Sequence, residues 1–249
     1  MMNDFLNVDL SFNYQDLRVF IPVVGALIGF MIFWFAWQSD KLKQMLQEKY
    51  GEDRGFANLV IYTKFLGGFS MGILPAAVYL IAFPKTTLSQ LGIGFHRETL
   101  MVTALWMLGL GALMVFLMAN NAKKPKNLIH YPQIRAKVWD RSMFRGNLAG
   151  WAIYLFGYET LFRGVLLFPL VEAIGLWPAI AVNIGLYSAT HIPKGLTEAI
   201  GAIPLSIVLC LLSVYTGSIW IAVVVHIAMA WTNTTIALKH HPEMQYIKN

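Results

Sequence analysis

Glu159 and Arg163 stand four residues apart inside the run Tyr154 to Leu170, YLFGYETLFRGVLLFPL, which is apolar enough to enter a membrane. An ionised side chain at the bilayer centre costs at least ~2.5–3.5 kcal/mol on insertion scales. With the acid one helical turn before the base, the two share a helix face and can pair. Pairing lowers the cost without explaining why the charges are there. Two later apolar runs each bring a histidine, His191 and His226. A carboxylate can act as general base on a water held against it, the more readily in apolar surroundings. Imidazole can share that water, donate to a leaving amine or stabilise an oxyanion. Glu159, His191 and His226 therefore suffice in kind for peptide hydrolysis inside a membrane. They suffice equally for a His/His/Glu metal site, with zinc as the natural ion, although no His-Glu-x-x-His helix supports the metal independently.

The elements that must position these groups are membrane spans. Of the 249 residues 57% are hydrophobic and only 13% charged, where a soluble domain carries about a quarter charged. The net charge of +6 does not mark a nucleic-acid partner, because the basic residues cluster between apolar spans, the positive-inside pattern that anionic lipid reinforces. Cys210, the one cysteine, lies within an apolar span and reads as a packing residue. The acidic, polar start has no basic n-region, so the first span is expected to serve as an uncleaved targeting element.

The spans are expected at about Val19 to Trp37, Leu59 to Phe83, Leu100 to Met118, Asn147 to Val171, Pro178 to Thr190, Glu198 to Tyr215 and Ile219 to Leu238. Residues 39–58 read as a charged cytoplasmic surface helix. Lys64 can snorkel from the start of the second span, and Pro75 should kink it. Pro204 should break the sixth span. The loop from Asn120 to Gly146 is the most basic part of the chain. Placing both basic loops in the cytoplasm puts the N-terminus outside and the C-terminus inside. The expected fold is all-α, a polytopic bundle of about seven transmembrane helices. Residues 1–145 supply N-terminal spans and loops, and residues 146–240 a four-helix catalytic core.

Three stretches in this core resemble the CAAX prenyl protease and bacteriocin-processing (CPBP, or Abi) family of intramembrane proteases. Glu159-Thr-Leu-Phe-Arg163-Gly164 is similar to its first motif, Tyr187-Ser-Ala-Thr-His191 to its second, and Thr216-Gly-Ser-Ile-Trp220 with His226 to its third. The resemblance implies an intramembrane endopeptidase that cuts near a membrane-embedded or lipidated substrate end, from a cavity open to the cytosol. It assigns His191 to proton transfer, His226 to the oxyanion and Arg163 to positioning Glu159. Two positions depart from the family pattern. Its first motif reads Glu-Glu-x-x-x-Arg, and here the first glutamate is Tyr158. Its third motif places an asparagine four residues after the histidine, and here that position is Ala230.

Glu159 could take over the water-activating role, or Glu198 could supply it. The stretch from His191 to Glu198 resembles a bacterial branch with a lone first-motif glutamate. That branch suggests a bacterial plasma (inner) membrane. Tyr158 and Asn233 are candidate supporting residues, although Asn233 lies about 10 Å along the helix from His226. If a metal is held, Glu159, His191 and His226 are its expected ligands. Partners are membrane lipids and a membrane-associated or lipidated peptide. A non-catalytic relative that binds a membrane peptide, in immunity or as a scaffold, is the alternative. A small transporter is a third reading, against which stands the lack of repeated halves.

Overall fold

The computed structural model describes residues 11–247. Most of the acidic start, residues 1–10, and the last two residues of the tail lie outside that range. Helix α1 (Leu17–Trp37) is the first span. Helix α2 (Asp40–Tyr50) is capped by Ser39, whose Oγ accepts from the Leu42 N–H, and it ends at Gly51. Gly51 has a φ of +83°, which glycine adopts without a side-chain clash. Glu52 and Asp53 then occupy the first turn of α3 (Glu52–Gly68), where the helix dipole favours acids. The helix that carries the second span therefore starts at Glu52, seven residues before Leu59, and the charged run is divided between a separate helix and the first turns of this one.

A π-helical segment (Phe69–Ile73) joins α3 to α4 (Leu74–Ala82) in one rod. Helix α5 (Leu100–Ala122) is the third span. The basic loop holds a short helix α6 (Pro125–Leu128) and strand β1 (Val138–Trp139). Helix α7 (Arg141–Glu159) continues through a second π segment (Thr160–Leu167) into α8 (Phe168–Ile174). Helices α9 (Leu176–Ala189), α10 (Leu196–Thr216) and α11 (Trp220–His240) follow. Strand β2 (Gln245–Tyr246) then pairs in parallel with β1.

Among the described residues six helical rods are long and apolar enough to cross a bilayer, and α9 is a shorter apolar helix of 14 residues. At 1.5 Å per residue α9 reaches about 21 Å, short of a hydrocarbon core of roughly 30 Å. The loop that carries His191 thus begins before a full crossing is made. The molecule is an all-α polytopic bundle. The expected seven spans are six of full length and one short helix. Pro204 does not break α10, which runs through it over 21 residues; one missing N–H is absorbed by the rest of the ladder.

Each π segment lies just before a proline, Pro75 in one rod and Pro169 in the other. Proline lacks an N–H, and its ring collides with the carbonyl four residues back. Those carbonyls belong to Met71 and Val165, both inside the π segments, where the wider turn makes room. The kink expected at Pro75 takes this form. The two rods meet at glycines: a Cβ on Gly72 would stand 2.7 Å from Gly157 Cα, and one on Gly157 would run into the Gly68 backbone. The most hydrophobic stretch of the α7–α8 rod is 78% buried against 11% for α5, so α7–α8 is the hub.

Polar contacts sort the bundle into two ends. At one, Arg54 pairs with Asp140 at 3.2 Å, Asp53 accepts from the Lys137 N–H, and β1 meets β2. At the other, Arg18 pairs with Glu172 at 2.5 Å, and the Ile219 N–H donates to Gly92 O. Among the described lysines and arginines only Arg18, Lys85 and Arg97 belong to this second end.

Candidate active site

Glu159 is the last residue of α7 before the π segment, and Arg163 lies within that segment. Both are completely buried. Glu159 Oε2 lies 3.1 Å from Arg163 Nη1, and Oε1 lies 2.7 Å from His226 Nδ1 on α11. Arg163 Nη2 donates to Ser206 Oγ on α10 at 3.1 Å, and the guanidinium sits 4.3 Å over the Tyr187 ring on α9. Four helices of the C-terminal core thus converge on one ion pair. The contacts to Glu159 are close but poorly directed. Neither carboxylate oxygen, nor Arg163 Nη1, nor His226 Nδ1 completes a hydrogen bond of good angle. The carboxylate is held by charge and keeps acceptor capacity.

Tyr187 connects the two histidines. Its hydroxyl lies 3.0 Å from His226 Nε2, and its backbone carbonyl lies 3.0 Å from His191 Nδ1. A carbonyl only accepts, so His191 Nδ1 carries the hydrogen and Nε2 keeps its lone pair. Burial, with Lys194 adding to it, pulls the His191 pKa down to about 4. The ring is therefore neutral near pH 7, with a basic nitrogen facing away from its backbone anchor. Thr190 Oγ1 donates to Tyr187 O at 2.7 Å, which makes Tyr158 the donor in its own 2.7 Å contact with Thr190 Oγ1. Tyr158 thus braces the His191 turn from α7. Asn183 Nδ2 donates to Phe162 O and ties α9 to the π segment.

Glu198 is exposed in the first turn of α10, and its carboxylate makes no hydrogen bond or ion pair among the described residues. The helix dipole accounts for an acid there, and the structure does not bring it to the histidines. Asn233 is also engaged elsewhere: its Oδ1 accepts from Asn127 Nδ2 at 2.9 Å and ties α11 to the basic loop. Lys64 does not snorkel. It is 3% exposed. The stretch Gly68-Phe69-Ser70-Met71-Gly72 has Gly-x-Ser-x-Gly spacing. Ser70, however, is buried in a π segment and donates to Gly29 O at 2.9 Å, which is packing rather than a strand-to-helix nucleophile turn.

The residues do not fit a bound zinc. Among the described residues no three His, Cys, Asp or Glu side chains form a metal-ligating group. Glu159 faces Arg163, and both His226 nitrogens are in contact with protein groups. Of the site's residues the His191 loop lies nearest the exterior: His191 is half-buried, and Ile192 to Glu198 are all exposed. A lipid-facing groove of about 370 Å³ along Leu105, Gly109 and Leu113, and a polar recess of about 150 Å³ at Arg18 and Glu172, lie elsewhere.

Residues 144–232 match the family model described as type II CAAX prenyl endopeptidase, Rce1-like. Over these residues the chain is similar to the CPBP family of intramembrane proteases. No curated protein and no solved structure shows a significant match. Glu159, Arg163, His191 and His226 all lie within the matched CPBP core; Asn233 falls just beyond it. The sequence reading missed the Tyr187 hydroxyl, Thr190 and Ser206 as members of the site. The first two were within reach, since Tyr187 and His191 are one helical turn apart at a span's end. A single serine in an apolar helix carries no such signal.

Proposed function

We propose that this CPBP-like protein is an intramembrane endopeptidase that hydrolyses a peptide bond near a membrane-embedded or lipidated substrate end. The contact that carries the reading is Glu159 against His226, with the free Nε2 of His191 on the other side of Tyr187. His191 Nε2 takes a proton from the attacking water and later returns it to the leaving amine. Glu159, engaged by Arg163 and His226, orients His226 and helps to hold the water. When His226 carries both ring hydrogens, Nδ1–H faces Glu159 and Nε2–H faces the Tyr187 oxygen. The Tyr187 O–H is then left to donate to the oxyanion. This gives Tyr187 the task that an asparagine at the position of Ala230 performs in the family pattern.

The basic end faces the cytoplasm in this proposal, because Lys and Arg accumulate there. The N-terminus is then outside and the C-terminus inside a bacterial plasma membrane. The test is hydrolysis of acylated and membrane-spanning peptides by the purified protein in nanodiscs. Glu159→Gln and His191→Ala should each lower the rate by about 100-fold or more while elution and melting stay near wild type. Hydrolysis at the wild-type rate in both variants would remove the reading. Peptide binding without cleavage by the wild type would leave the non-catalytic alternative in its place.

A further inference from the structure

Three charged side chains among the described residues are buried: Glu159, Arg163 and Lys64. The first two neutralise each other. Lys64, in the middle of α3, makes no ion pair among the described residues. Its stem crosses α7 at Gly150, where a Cβ would stand 3.3 Å from Lys64 Cδ. Its Nζ donates to Asn147 Oδ1 at 2.9 Å and sits 3.8 Å over the Trp151 ring. A cation in an apolar interior is costly unless an opposite charge meets it. The π face of Trp151 lowers that cost but brings no net charge of its own.

Donors are left over at the same place. An ammonium has three N–H groups and no lone pair. One goes to Asn147 and the Trp151 ring covers one side, which leaves a third. The ammonium also fixes the amide, because only Oδ1 can accept from it. Asn147 Nδ2 is then the other end of that amide, and it is buried with no hydrogen-bond partner. Oδ1 and Nδ2 share one carbon, so Nζ and Nδ2 stand at most about 5.5 Å apart. A single atom between them can touch both.

We propose that Lys64 and Asn147 hold a small monovalent inorganic anion, a halide such as chloride, as a structural ion between α3 and α7. One negative charge cancels the one ammonium. The ion accepts from Lys64 on the side away from Trp151, whose π face repels an anion, and from Asn147 Nδ2–H. Water can accept from the same donors but leaves the charge uncancelled. A phosphate carries more charge and more acceptor oxygens than these two side chains match. A lipid head needs an open side, and Lys64 and Asn147 are only 3% and 1% exposed. The ion ties together two rods that meet again at Gly68 and Gly157, just before Glu159. Asn147 precedes Glu159 by twelve residues, about 18 Å along the helix axis. The ion therefore supports the frame of the candidate site without touching it, and the proposal stands apart from the peptidase reading.

The test is thermal melting of the purified protein in phosphatidylcholine nanodiscs, followed by circular dichroism. Chloride is replaced stepwise by gluconate, which is too bulky for the space between packed helices, at constant ionic strength. The wild type should melt about 5 °C or more higher once chloride reaches roughly 100 times its dissociation constant. The rise should saturate, and bromide should act alike. Asn147→Asp puts a carboxylate beside the ammonium. It should lose the chloride dependence and melt in gluconate near the chloride-loaded wild type. Lys64→Met removes the cation and should lose the dependence as well. Equal melting of the wild type in chloride and gluconate overturns the proposal and leaves the donors to water. A chloride dependence that survives Asn147→Asp or Lys64→Met places the ion elsewhere and overturns it too. Phosphatidylglycerol that replaces the chloride effect assigns the donors to lipid phosphate, with the same result. If neither variant folds, anomalous scattering from crystals of the wild type grown in bromide decides: a peak beside Lys64 Nζ supports the site, and none there overturns it.

Discussion

The hydroxyl of Tyr187 lies 3.0 Å from Nε2 of His226, while Nδ1 of the same ring lies 2.7 Å from Glu159. The imidazole is therefore held at both ends, by a carboxylate and a phenol from different helices. The same tyrosine anchors His191 through its backbone carbonyl. One residue thus fixes the orientation of both histidines.

Tyr187→Phe removes the hydroxyl and keeps the ring beneath Arg163 and the carbonyl that holds His191. Folding should survive, since a net hydrogen bond contributes only about 1 kcal/mol. Turnover should fall by about 100-fold, the usual loss for one oxyanion donor, with KM nearly unchanged. Steady-state kinetics on any cleaved peptide read this directly. An unchanged kcat would take the phenol out of the chemistry.

Arg163 and Glu159 form a fully buried pair. Removing one partner of such a pair strands a charge and costs about 3–5 kcal/mol. Arg163→Met should therefore melt well below wild type. Adding Glu159→Gln to it should restore part of the loss, because no stranded charge is left. The two effects should be strongly non-additive in a double-mutant cycle. Simple additivity would mean that the pair is not coupled in the folded protein.

Gly157 faces the Gly68 backbone so closely that a Cβ there has no space. Gly157→Ala must push the α7–α8 rod away from α3 and its π segment. Glu159 is only two residues further along. The variant should lose stability by about 1–3 kcal/mol, the range for overpacking. It should also lose activity beyond what that loss explains. A stable variant with full turnover would show that the rods need not touch for Glu159 to be placed.

Glu159 and the histidines could be singled out as candidates because an ionisable side chain in a long apolar run has few bland explanations, and the contact of Glu159 with His226 is what the structure adds. The fold was legible for the same reason, since apolar runs of span length have few other uses. The short α9 was readable too, as a run that ends at a polar Thr-His pair. Sequence distance from His191 says nothing of the direction in which Glu198 points: a helix start at Leu196 gives an acid there a simpler place. The π segments were not legible as such. Pro75 announced a distortion, but whether a proline kinks, widens or is merely absorbed, as at Pro204, depends on what packs against the turn. The Lys64 environment was hidden because Asn147 and Trp151 approach it from a span more than eighty residues away.

Asp140 is where acid should loosen the basic end. Its Oδ1 accepts from the Met143 N–H at 2.7 Å, capping α7, and its carboxylate pairs with Arg54 at 3.2 Å. The backbone hydrogen bond first, and Arg54 in addition, hold its pKa below the ordinary carboxylate range. A depressed folded-state pKa means that the unfolded chain binds the proton more readily. The stabilisation is then fully present above the unfolded value of about 3.9 and is lost as pH falls through the folded one. Asparagine caps a helix about as well as aspartate but does not titrate. Asp140→Asn should therefore melt near wild type at neutral pH and lose less stability below about pH 4. Asp140→Ala should lose about 1 kcal/mol already at neutral pH. Melting curves in detergent across this range decide it. Parallel acid losses in wild type and Asp140→Asn would mean that another carboxylate governs the acid response.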